Sequence, residues 1–97
     1  MGLDEFIDES IKRSGALGYH PTKFMGMRED AIRRGKSINS VITALVVSSE
    51  PKSGFLRLVE LNLTDWSLEA AVMKFPKQFD SLTQAYAKAR LSGIFNV

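Results

Sequence analysis

Ninety-seven residues make one small domain with room for a single core. Hydrophobic residues form 44% of the chain and charged residues 25%, a balance that argues against disorder, and the lack of cysteine excludes disulfides, thiolate metal sites and a cysteine nucleophile. The net charge of +2 is too small by itself to name a polyanionic partner.

In chain order, Leu3, Phe6, Ile7 and Ile11 recur at helical spacing with acids between them and predict a first helix over about 3–14, its stop bracketed by Gly15 and Gly18. Pro21 suits the opening of a second helix that runs to about Arg34, with Phe24, Met27, Arg28 and Ala31 on one face, Ile32 beside it and Gly35 closing it. Ser37 can cap a third helix in which Ile38, Val41, Ile42, Leu45 and Val46 recur at three and four. The β-branched run 41–47 would also suit a buried strand, but the spacing continues beyond strand length. A turn-rich loop over 48–54 leads to a short fourth helix anchored by Phe55 and Leu58, with Ser53 as a cap and Asn62 as its end. After a connector holding Asp65 and Trp66, a fifth helix carries Leu68, Ala71 and Val72 and stops before Pro76. Ser81 and Gln84 have capping-box spacing for a sixth helix, whose expected buried stripe is Leu82, Ala85, Tyr86 and Ala89. The expectation is an all-α fold, a compact single domain of five to six short helices over 1–97.

The charge is uneven: residues 1–9 sum to −4, residues 10–36 to +5 and residues 37–97 to +1. Acids at a helix start and bases at helix ends complement the macrodipole, and Asp8 and Glu9 stand four before Lys12 and Arg13. The sharper reading gathers Lys12, Arg13, Lys23, Arg33, Arg34 and Lys36 into a patch that grips phosphates without reading sequence. A helix–turn–helix over Ala31, Gly35 and Val41 is disfavoured, because its reading helix would lack side chains for base edges. The acidic start is not a targeting segment and the longest apolar run, Ala44–Val47, is far below the ~20 residues of a membrane span, so a cytoplasmic location is expected.

His20 stands alone, so neither a zinc site nor an oriented general base is expected, and no glycine loop cradles a phosphate. Asp65 and Glu69, four apart at a helix start, suit the dipole better than an acid–base pair. The expectation is a chain without catalytic residues, cofactor or metal.

Four blocks together resemble a family of small bacterial all-α domains that has no established activity. They read Gly18-Tyr19-His20-Pro21-Thr22-Lys23-Phe24-Met25-Gly26-Met27, Gly54-Phe55-Leu56-Arg57-Leu58-Val59-Glu60, Asp65-Trp66-Ser67-Leu68-Glu69-Ala70-Ala71-Val72 and Ala89-Arg90-Leu91. The likeness spans about residues 15–91. It departs from the family in having one glycine near Gly35 where the family tends to have two, and Trp66 where the family has leucine. The resemblance implies an all-α fold and assigns no activity.

The functional expectation is a protein-interaction module, capable of self-association, with Trp66 and the apolar residues Ile94, Phe95 and Val97 as interface candidates. The alternative is a weak, largely sequence-independent nucleic-acid binder using the bases of residues 12–36.

Overall fold

The computed structural model describes residues 1–47 and 53–93, which form six helices and no strand. They are α1 (Leu3–Ala16), α2 (Thr22–Arg33), α3 (Ile38–Val47), α4 (Ser53–Glu60), α5 (Leu68–Lys74) and α6 (Ser81–Gly93). Single 3-10 turns at Thr64–Trp66 and Pro76–Gln78 lead into α5 and α6. The apolar residues Ile94, Phe95 and Val97, and most of the loop read over 48–54, lie outside the described residues.

Three helices stop by the same backbone device. After α1, the Tyr19 amide donates to the Ser14 carbonyl at 2.9 Å and the Gly18 amide to Gly15 at 3.0 Å, with Gly18 at φ +87°. After α2, Lys36 donates to Ala31 at 2.8 Å and Gly35 to Ile32 at 3.1 Å, with Gly35 at φ +70°. After α4, Leu63 donates to Leu58 at 2.8 Å and Asn62 to Val59 at 3.1 Å, with Asn62 at φ 59°. Each pair satisfies two carbonyls left over by the last turn, and the left-handed residue between them is glycine or asparagine, which tolerate it best.

The core takes Leu3, Phe6 and Ile7 from α1, Phe24 and Ala31 from α2, and Val41, Ile42 and Val46 from α3. Ala71 and Val72 of α5, Phe79 after the second 3-10 turn and Ala87 of α6 complete it. On α2 the buried stripe is narrower than the sequence suggests: Met27 and Arg28 are half-buried and Ile32 is exposed.

α6 differs most from expectation. Leu82, Ala85, Tyr86 and Ala89 all face outward, Leu82 being 57% exposed, and the buried positions are Thr83 and Ala87. The helix carries apolar residues on opposite sides, so periodicity alone cannot choose between them. Packing chooses the small side: α6 lies against α5 and α3 with Ala87 fully buried in the same core as Ala71 and Val72, and a leucine or tyrosine in its place would hold the helices apart.

The cap of α6 is also one residue earlier than the expected Ser81–Gln84 box. Asp80 Oδ1 accepts from the Thr83 amide at 2.8 Å, while Gln84 Nε2 reaches back to the carbonyls of Pro76 at 2.9 Å and Phe79 at 3.0 Å. Thr83, through its hydroxyl and its amide, holds the Asp80 carboxyl below its ordinary value of 3.8. Only the amide makes a bond of good geometry, and the buried Thr83 hydroxyl has no hydrogen-bond partner among the described residues. A depressed carboxyl contributes stability that is complete above its ordinary value and disappears as pH falls through the lower folded value. Urea midpoints followed from pH ~6 to ~2 should therefore fall more steeply for the natural chain than for Asp80→Asn, the divergence confined to the acid end. Parallel profiles would remove Asp80 from the acid response.

Candidate functional site

A groove of about 280 Å³ is walled by α1, the α1–α2 corner, α4 and the start of α5. The stripe that buries α1 continues toward its end through Ser10, Ile11 and Ser14, which line the groove. The two serines place hydroxyls where larger apolar groups would fill the space. Ser10 donates to the Trp66 carbonyl and Ser14 to the Ile11 carbonyl at 3.1 Å, so both are held against backbone.

The α1–α2 corner supplies Tyr19 and Phe24, and α4 supplies Phe55 and Leu58. Glycines set the approach of these pieces. A Cβ on Gly54 would lie 3.0 Å from the Tyr19 hydroxyl, so a larger residue there would push that ring end back by a few tenths of an ångström. A Cβ on Gly15 would lie 3.3 Å from the His20 imidazole, which packs on the last turn of α1. Phe24 is buried as expected, whereas Tyr19, Phe55 and Leu58 are half-buried because each keeps one side toward the groove.

Trp66 belongs to a stack. Its ring lies 4.9 Å from that of Phe6 at an angle of 26°, and the Arg13 guanidinium sits 4.4 Å over it on a cation–π contact. Phe75 meets Phe6 edge-on at 5.9 Å. Trp66 is therefore a wall of the groove and a partner of the core, half-buried in both roles.

α5 begins at Ser67, whose hydroxyl accepts from the Ala70 amide at 3.0 Å and donates to the Thr64 carbonyl at 2.7 Å. That cap aims the first turn of α5, and with it Glu69, into the interior. Glu69 is 4% exposed yet lines the groove. Its Oε2 takes Arg90 Nη1 of α6 at 2.8 Å, in a pair whose arginine side chain is 17% exposed. Its Oε1 has no hydrogen bond among the described residues. Asp65 stands outside the cap, exposed, so the helical spacing that would align it with Glu69 does not apply. Glu69 and Arg90 stand in two of the sequence blocks, but their pairing was not anticipated; a glutamate one turn inside a capped apolar helix is the signal that could have raised it.

The six bases do not gather. Lys23 opens α2 and Arg33 closes it, ten residues or about 15 Å apart along a helix. Lys12 and Arg13 lie on the last turns of α1, while Arg34 and Lys36 border a shallow depression between α2 and α3. Acids answer several of them: Glu9 holds Arg13 at 3.0 Å, and Asp30 holds Arg34 at 3.2 Å and Arg33 at 3.7 Å. Asp8, which the sequence set against Lys12, instead bridges α1 to α2 by taking Arg28 at 2.7 Å.

Among the described residues no group of three or more acids and histidines is placed to hold a metal, and no helix is long and apolar enough to cross a membrane. No family model, curated protein or solved structure matches the chain.

Proposed function

We propose that this chain is a non-catalytic protein-interaction module of the bacterial cytoplasm, and that the groove between α1, α2, α4 and α5 receives an apolar side chain from its partner. The observation that carries the reading is the groove itself: about 280 Å³ bounded by half-buried aromatic and aliphatic side chains. Protein partners are anchored by a few large side chains that enter such pockets. The split, acid-answered bases favour this over phosphate binding, which gains from many unanswered charges acting together.

The test is a selection of random peptides displayed on phage against the natural chain and against Leu58→Trp, which fills the groove from α4. The expected result is a set of peptides sharing one large apolar residue, bound by the natural chain and lost on the filled one. Peptides that bind both equally, or none at all, would overturn the reading. A salt-sensitive shift of random duplex DNA that survives Leu58→Trp would put the nucleic-acid alternative in its place.

A further inference from the structure

The groove holds an acceptor that the fold leaves open. Glu69 spends Oε2 on Arg90, and Oε1 is without a hydrogen bond among the described residues although the side chain is only 6% exposed. A carboxylate oxygen at the groove that keeps no protein partner is met there by water, and a group that fills the groove must replace that water with a donor. Resting on the interaction reading, we infer that the group entering the groove is an indole, a tryptophan side chain of the partner protein, whose ring N–H donates to Glu69 Oε1.

Three observations narrow the donor. Arg90 already matches the charge of Glu69, the one acid among the described lining residues, so a second cation would enter without a carboxylate of its own. The donor is therefore neutral. The walls it must lie against are Ile11, Phe24, Leu45, Phe55, Trp66 and Leu68, so its body is large and apolar. A volume of about 280 Å³ lies near the lower end of ligand sites and suits one large side chain. Among neutral side chains with an apolar body, the indole N–H donates and accepts nothing, whereas a phenol oxygen brings lone pairs that need donors of their own. A carboxylate, which only accepts, is the complement of the first. The face of an entering indole can also lie on Phe55 or Trp66, as aromatic pairs prefer.

The experiment leaves the protein unaltered and varies the probe. N-acetyltryptophanamide, its 1-methylindole counterpart and N-acetyltyrosinamide are titrated into the full chain, reading the amide nitrogen–proton shifts of Phe55, Leu68 and Glu69. N-acetyltryptophanamide should move these signals with a dissociation constant on the order of 1 mM, and Leu58→Trp should abolish the effect. Methylating the ring nitrogen should weaken binding about tenfold, since it removes the donor and leaves the oxygen unpaired. Equal binding of the two indoles would overturn the assignment to Glu69, and tighter binding of the tyrosine probe would overturn the choice of indole. If no probe moves the groove while selected peptides still occupy it, the indole proposal fails and the interaction reading stands. If neither probes nor peptides enter, both fail.

Discussion

Arg90→Ala should cost this domain about 3 kcal/mol and lower its melting temperature by roughly 12–24 °C, because it strands a buried carboxylate. Glu69 is 4% exposed and Arg90 is the partner that holds its Oε2, at 2.8 Å across α5 and α6. The loss measures the penalty of the unmatched charge more than the strength of the bond. The paired replacement Glu69→Leu with Arg90→Met removes both charges and keeps apolar volume, so it should return to within about 1 kcal/mol of the natural chain. Urea unfolding of the three proteins, followed by helical circular dichroism, decides the matter. An Arg90→Ala chain of nearly full stability would mean that water reaches Glu69 freely. The paired variant also bears on the groove: it should still admit an apolar probe but no longer distinguish an indole from its N-methyl counterpart.

Phe6→Ala should be equally severe, at about 3–5 kcal/mol, the range for losing a buried aromatic ring. Phe6 is 2% exposed and joins both halves of the chain, with Trp66 stacked on one side, Phe75 at its edge and the Lys74 ammonium 5.5 Å from its centroid. Its removal takes away the ring against which Trp66 is stacked. Leu82→Ala is the contrast. It deletes a larger apolar group than many core positions hold, yet it should change stability by no more than about 0.5 kcal/mol, because the side chain faces solvent. Comparable losses from the two variants would mean that α6 presents the opposite face to the core.

The parts of the fold legible in the sequence are those decided within a few residues. Gly18, Gly35 and Asn62 each stand where only a left-handed residue completes the stop, so the ends of α1, α2 and α4 could be read locally. The face of α6 could not, since Leu82 and Tyr86 compete with Thr83 and Ala87 at the same period. The choice is made by distant residues: Ala71, which admits a close neighbour, and Glu69, which fixes Arg90. Charge spacing held for Glu9 and Arg13 but failed for Asp8, for a similar reason. The sequence offered Asp8 a partner on its own helix, and the structure gives it Arg28, twenty residues away. For the groove, Tyr19, Phe24, Phe55, Leu58 and Glu69 each fell in a block singled out along the chain. Their shared wall exists only after α1 has brought Ser10 beneath Trp66.

That Ser10–Trp66 bond also has a kinetic meaning. The corners after α1, α2 and α4 are closed by bonds spanning three to five residues, so they can form early and without the rest of the molecule. Ser10 and Trp66 are 56 residues apart, and ordering the chain between them is the expensive loop closure. A helical domain of this kind belongs among the rapid folders, in microseconds to milliseconds. The contact with the longest loop to close is the arrival of α1 on the C-terminal half, and the groove has its full wall only when that contact is made.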